Sequence, residues 1–500
     1  MFESWYAHPR FLTPFLFLNL FNHANTMIKK TKIVATIGPA TSSVEMLEKL
    51  LKAGFNVMRL NFSHGDFAEH QGKVDNLIKA VANTGIPAAV LQDLSGPKFR
   101  IGDFYQERVM LKAGDFITLT PETVVGDEKR VSFNYPTLAK EISVGNIIMV
   151  DDGKKKFEVV EIKGADVKCK IIVGGETKGR RGVNLPNANL KISSLTAKDK
   201  KDLEFGIKNK VDFVAFSFVR RPEDVQELRD LLVKAKSQAK IIAKIETPEA
   251  IENFDKILEL SDGIMVARGD LAVEMGAENV PTAQKMMIQK CNQHGKPVIT
   301  ATQMLESMIK SPVPTRAEVS DIANAIFDGT DAIMLSEETT LGQFPVEAVQ
   351  VMATVAKKIE HDPIYLETVK SRRHIKGAAR DVVDAISSEA VDIADRIGAA
   401  CIVALTHTGF TASMISRYKP QQPLVVFTPM EVTARQMLVS FGCLYVIDKN
   451  LKTIEEAIKK IRIMVLKMKL GKKGDKVVVA AGAPFNKRGV KTNMVLVETL

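Results

Sequence analysis

The residues best suited to chemistry in this 500-residue chain fall in two apolar runs. Lys240-Ile241-Ile242-Ala243-Lys244-Ile245-Glu246 places a lysine and a carboxylate two positions apart, and alternation along a strand puts both on one face. Gly263-Ile264-Met265-Val266-Ala267-Arg268-Gly269-Asp270 is as apolar as a parallel strand buried on both faces. It breaks into a glycine and a second carboxylate where such a strand should end. If the runs are neighbours, Lys244, Glu246 and Asp270 converge on one rim. Two carboxylates from adjacent strands suit a hard divalent cation, and the lysine beside them adds positive charge for an anionic substrate. The competing reading is a solvated strand end.

The elements that must position these residues begin at Lys32. Apolar runs over 32–38, 56–63, 88–94, 213–219, 240–246, 263–270, 297–304 and 332–338 read as strands. Amphipathic stretches between them, for example 44–53, 225–236 and 317–327, read as helices, so parallel βα units are indicated. Eight such units close a TIM (β/α)8 barrel, a fold whose active sites lie at the C-terminal ends of the strands. Those ends carry Arg59, Asn61, Ser63, His64, Asp93, Lys244, Glu246, Asp270, Thr302 and Glu337.

The third and fourth strands, starting at Ala88 and Phe213, are far apart in sequence, so a unit is inserted between them. Short β runs over 108–112, 116–120, 146–150, 156–162 and 167–172, separated by Gly-Asp and Asp-Gly turns, predict a small antiparallel lid domain. Its hinges are Ser95-Gly96-Pro97 and Asn184-Leu185-Pro186-Asn187. A charged segment over 360–380 then precedes strands 401–405, 424–428, 443–447 and 477–481, a C-terminal α/β unit. The expected division is 1–26 as a leader or upstream extension, 27–97 with 188–359 as barrel, 98–187 as lid and 360–500 as C-terminal domain. Thr406-His407-Thr408-Gly409-Phe410-Thr411 follows a strand and precedes a helix. It reads either as a phosphate cradle, with Lys487-Arg488 closing over the anion, or as an ordinary N-cap loop.

Composition narrows the partners. Lys+Arg number 69 against 59 Asp+Glu, a net charge of +10, with 6% aromatics and no basic stripe. That balance favours an anionic metabolite over nucleic acid. The 4 cysteines form no C-x-x-C pair, which points to a reduced compartment, the cytoplasm. The apolar run 11–21 is too short to span a bilayer and is broken by Pro14, so no membrane segment is expected. Gly174-Gly175-Glu176-Thr177-Lys178-Gly179 runs into Arg180-Arg181 and is no P-loop, and His64 lacks a second histidine for zinc.

Thr36-Ile37-Gly38-Pro39-Ala40, Arg59-Leu60-Asn61-Phe62-Ser63-His64-Gly65, Gly182-Val183-Asn184-Leu185-Pro186, Met265-Val266-Ala267-Arg268-Gly269-Asp270-Leu271 and Ala301-Thr302-Gln303-Met304-Leu305-Glu306-Ser307-Met308 closely resemble pyruvate kinase. The resemblance runs from about Ile28 to Leu500 and implies a TIM barrel interrupted by a β lid and followed by a regulatory α/β domain, in a homotetramer. It implies phosphoryl transfer from phosphoenolpyruvate to ADP. Glu246 and Asp270 would hold Mg²⁺ or Mn²⁺. Lys244 would face the transferring phosphoryl group, Arg59 would clamp it, and the N–H groups of Gly269 and Asp270 would receive the substrate carboxylate. Thr302 would stand near the enolate, whose proton donor stays open. Arg59, Asn61, His64, Arg100, Arg181 and Pro39 match the nucleotide positions, with Arg181 where the family usually has lysine. A phosphorylated allosteric effector would bind Thr406, Thr408 and Thr411 with Lys487 and Arg488. Two rivals stand beside this reading: a carbon–carbon lyase using the same divalent enolate chemistry, and a non-catalytic anion sensor.

Relatives that need K⁺ hold it through the asparagine and serine of the second strand end and an aspartate and threonine of the third. Here Asn61, Ser63 and Asp93 persist, but Leu94 offers no side-chain oxygen and Lys98 stands where the family has glutamate. One reading makes Lys98 a solvated hinge residue. The other makes its ammonium the replacement for K⁺, which would then be dispensable; at an effective dielectric of about 20 a unit charge ~4 Å away is worth roughly 4 kcal/mol.

Overall fold

A computed structural model describes residues 28–186, 188, 192–373, 381–451, 453–484 and 489–500. The expected leader 1–26, Met27, Asn187, Lys487 and Arg488 lie outside the described residues.

The eight expected strands form one closed parallel barrel: Lys32–Thr36, Val57–Asn61, Ala89–Asp93, Phe213–Phe216, Lys240–Ile245, Gly263–Ala267, Val298–Ala301 and Ala332–Leu335. Each is apolar on both faces because one face fills the barrel and the other lies under the helices. Register sets the rim: Asn61 stands opposite Asp93, Lys244 opposite Met265, and Ala267 opposite Ala301. Several strands end earlier than their apolar runs. The sixth stops at Ala267 because the helix Arg268–Met275 begins at once, so Gly269 and Asp270 occupy its first turn. After the seventh, Thr302 and Gln303 turn off the rim with φ of 72° and 53°, the left-handed region.

Between the third and fourth barrel strands lies a seven-stranded sheet with its own core around Ile117, Phe157, Val159 and Cys169, plus a two-stranded ribbon. The sheet is mixed, which corrects the antiparallel expectation: Arg130–Ser132 pairs parallel with Phe116–Thr120. This three-residue strand has no apolar run to announce it, and its approach is fixed by the Asp127 carboxylate, which accepts the N–H groups of Lys129 and Arg130.

The C-terminal sheet runs Cys443–Ile447, Leu424–Thr428, Cys401–Leu405, Lys476–Ala481 and Met494–Thr499. Its last strand is antiparallel and forms a half-exposed edge; it opens with the apolar run Met494-Val495-Leu496-Val497 but is missing from the expected strands. This unit docks on the N-terminal end of the barrel. Asp331 accepts Val298 N at 3.1 Å, Lys419 Nζ at 2.8 Å and Phe441 N at 3.0 Å. Arg435 Nε donates to Asp212 Oδ1 at 2.8 Å. Among the described residues no helix is long and apolar enough to cross a membrane, and the four cysteines are unpaired and buried.

Candidate active site

The centre of the rim is a buried charge network. Arg59, in the middle of the second strand, donates from Nε to Asp93 Oδ2 at 2.6 Å and from Nη1 to Thr36 Oγ1 at 2.8 Å. Lys244 Nζ lies 3.2 Å from the other Asp93 oxygen, 3.0 Å from Glu246 Oε1 and 2.6 Å from Ser217 Oγ. The Ser217 hydroxyl places its proton on the Leu94 carbonyl at 2.6 Å, so its lone pairs face the ammonium.

Alternation along the fifth strand thus brings Lys244 and Glu246 together as expected, while Asp93 and Ser217 arrive from strands distant in sequence. Ser217, Thr36 and Glu274 escaped the sequence reading. The signal for Ser217 was a hydroxyl at a strand end, and for Glu274 its place one helical turn beyond Asp270.

Electrostatics follow from this packing. Burial raises the Asp93 carboxyl, but Lys244 and Arg59 pull it below its ordinary value. Burial would lower the Lys244 ammonium, yet Asp93 and Glu246 hold it above the usual lysine range. Glu246 is raised, by burial first and then by Asp270, against the pull of Lys244. Glu274, also burial-driven and repelled by Asp270, is raised to about 7 while accepting a hydrogen bond from Asn184 of the lid at 2.9 Å.

Around this centre opens a cleft of about 720 Å³ between barrel and lid, lined among others by His64, Lys98, Arg100, Arg181, Asp270 and Glu274. That is room for a nucleotide beside a small acid. His64 is lowered by burial and then by Lys98, Arg100 and Arg59, which identifies this wall as anion-attracting. Arg181 leans on Asp151 at 3.4 Å. Asn61 Oδ1 accepts Ser63 N at 3.1 Å. Pro39 is exposed on the neighbouring loop, where Ala40 N donates to Thr340 O at 3.0 Å. Glu337, unplaced by sequence, is the exposed first residue of the short helix Glu337–Thr340 and favours the charged form of His64. Leu94 packs its side chain in the barrel–helix core. Lys98 stands exposed at the cleft, its ammonium lowered by desolvation and by Lys244 and Arg100, and supported by Asp270 and Asp93.

Thr302 Oγ1 donates to Ala301 O at 2.6 Å and accepts Gly269 N at 2.8 Å. The Gly269 N–H, expected to meet a carboxylate, is therefore engaged here by the threonine hydroxyl. Arg268, donating to Ala301 O at 3.1 Å and Thr302 O at 2.8 Å, fixes that turn. In the C-terminal loop, Thr406 Oγ1 accepts Gly409 N at 3.0 Å and Thr408 Oγ1 accepts Phe410 N at 3.4 Å. Thr411 is buried against Thr492 at 2.8 Å.

Two family descriptions match the chain: "Pyruvate kinase, barrel domain" over residues 28–349 and "Pyruvate kinase, alpha/beta domain" over 384–498. A pyruvate kinase of Clostridium perfringens is 42% identical over 95% of this chain and 100% of its own length. One of Bacillus licheniformis is 44% identical, covering 91% of this chain and 78% of that protein. A crystal structure of a pyruvate kinase from Cryptosporidium parvum superposes with a TM-score of 0.89 at 36% identity, covering 94% of this chain and 96% of that one. Matched along barrel and C-terminal unit alike, the chain belongs to the pyruvate kinase family.

Proposed function

We propose that the cleft between barrel and lid is where this family member passes the phosphoryl group of phosphoenolpyruvate to ADP, giving pyruvate and ATP in the last step of glycolysis. The observation that carries the assignment is the buried network of Arg59, Asp93, Lys244 and Glu246 at the barrel rim. Lys244, kept protonated between two carboxylates, sets a fixed positive charge where equatorial phosphoryl oxygens and the departing enolate develop negative charge. Arg59, oriented by Asp93 and Thr36, turns further N–H donors to the same phosphate. Thr302 holds a hydroxyl beside the first turn of the helix Arg268–Met275, within reach of an enolate carbon, and shares the Gly269 N–H with an arriving carboxylate. His64, Asn61, Arg100, Arg181 and Pro39 take the nucleotide.

Members of the family depend on a divalent cation, and Glu246 and Asp270 fit Mg²⁺ or Mn²⁺. On Glu246 burial, with repulsion from Asp270, outweighs the pull of Lys244, a balance that a cation between the two carboxylates would relieve. A cation held by these two carboxylates would complete its shell with substrate oxygens and water. When bound, the cation supplies Lewis-acid stabilisation of the enolate oxygen. Lys98, close enough to Asp93 and Asp270 to feel both, supplies the charge that K⁺ gives in relatives. We further assign the chain to the cytoplasm, as a homotetramer, with a phosphorylated effector at Thr406, Thr408 and Thr411 aided by Lys487 and Arg488.

Lys244→Met tests the assignment. It is expected to lower kcat at least 10²–10³-fold, about the loss of one preorganised charge, in a chain whose circular dichroism is unchanged. Glu246→Gln should weaken Mn²⁺ binding measured by electron paramagnetic resonance. A folded Lys244→Met chain with parental kcat would overturn the site.

A further inference from the structure

The rim segment 61–65 passes from the second strand into the helix Phe67–Thr84 and carries Asn61, Ser63 and His64. Two side chains hold its backbone. His70, 1% exposed, donates from Nε2 to the His64 carbonyl at 3.0 Å. Lys198, from the helix Ala197–Lys208 that follows the lid, donates to the Phe62 carbonyl at 2.7 Å. Between these bonds the Phe62 ring stacks on the His70 imidazole, centroids 4.1 Å apart and planes 14° from parallel. Gly65, with φ 77°, brings the rim so close that a Cβ there would lie 3.5 Å from His70 Nε2 and 2.6 Å from Glu69 Oε2.

Because the His64 carbonyl can only accept, Nε2 of His70 carries the hydrogen. Nδ1 is then buried with no partner. Burial, reinforced by Lys73 and Lys198, keeps the ring neutral, its pKa lowered to about 4. A phenyl ring would fill the same space and stack on Phe62 without an orphaned nitrogen. For packing alone histidine is the inferior choice. What the imidazole adds is the N–H to the His64 carbonyl.

We propose that His70 is a positioning residue for the nucleoside diphosphate: its Nε2–H fixes the His64 carbonyl and so sets the rim from which Asn61 and His64 meet the nucleotide phosphates. The proposal rests on the assignment of Asn61 and His64 to the nucleotide.

The test compares His70→Phe, His70→Gln and His64→Ala in the full chain, reading KM for ADP, KM for phosphoenolpyruvate, kcat and melting temperature. His70→Phe keeps the stacking and loses the donor. It is expected to raise KM for ADP about tenfold, the size of one lost hydrogen bond, while KM for phosphoenolpyruvate changes less than about twofold and the melting temperature holds or rises. His70→Gln, with an N–H at nearly the same reach, recovers most of the ADP affinity. A His70→Phe chain that does not fold, melts lower with unchanged KM values, or loses both substrates equally overturns the proposal. So does an unchanged KM for ADP in His70→Phe where His64→Ala raises it. An unchanged KM for ADP in His64→Ala refutes instead the nucleotide assignment beneath it.

Discussion

Glu274 shows how far a single residue's behaviour depends on elements remote in sequence. Its carboxyl, raised to about 7 by burial and by Asp270, takes the lid's Asn184 amide as partner. An unfolded glutamate titrates near ~4.3, so between those values the folded chain holds a proton that the unfolded chain does not. Stability from this group is complete below the lower value and lost as pH rises through about 7. Glu274→Gln keeps the acceptor for Asn184 and removes the charge. Without divalent ions, its stability, followed by melting, should pull ahead of the parent's between about pH 4 and 7, by at most ~4 kcal/mol, and stay ahead above. Parallel melting curves across that range would contradict this. Lys244, Glu246 and Asp270 were legible in sequence because strand alternation and an apolar run ending at Gly-Asp are local signals. Ser217 and the Asn184–Glu274 contact were not, since each is created by closure of the barrel and the lid.

At the scale of elements, the lid hinge and the catalytic floor are one packing problem. Gly96 has φ 64°, and a Cβ there would stand 3.0 Å from the Phe218 ring and 3.1 Å from Ser217 Cβ, the residue that holds Lys244. Gly96→Ala adds ~1–2 kcal/mol of left-handed strain and presses on Ser217. It is expected to lower kcat/KM for phosphoenolpyruvate roughly tenfold, as a shift of catalytic geometry far smaller than an ångström-scale displacement would. Parental kinetics in that variant would separate hinge from floor. All eight barrel strands were readable because a parallel strand buried on both faces is a continuous apolar run. Their ends were read too long, since apolar composition continues where the helix Arg268–Met275 and the turn at Thr302 already begin. The lid's parallel strand Arg130–Ser132 carries no such run, whereas the edge strand Met494–Thr499 opens on one, Met494 to Val497, yet stands outside the expected set.

Across the whole molecule, Asp331 joins barrel and C-terminal unit by accepting Val298 N, Lys419 Nζ and Phe441 N. Asp331→Ala leaves Lys419, 4% exposed, without its carboxylate. A loss of about 3–5 kcal/mol is expected in denaturant unfolding, and a change under about 1 kcal/mol would rule out this node as the clamp. The order of the three units was legible from spacing and turn composition, whereas this docking was not, because Asp331 and Lys419 are far apart in the chain and neither lies in a motif. The proposed chemistry is phosphoryl transfer beside Lys244 with Lys98 standing in for K⁺. It is tested most directly by the initial rate of ADP-dependent pyruvate formation from phosphoenolpyruvate, with K⁺ replaced by a tetraalkylammonium salt at equal ionic strength, in the parent and in Lys98→Glu. Full parental activity without K⁺ is expected, with an impaired Lys98→Glu chain partly rescued by K⁺; a parent nearly inactive until K⁺ is added would contradict this.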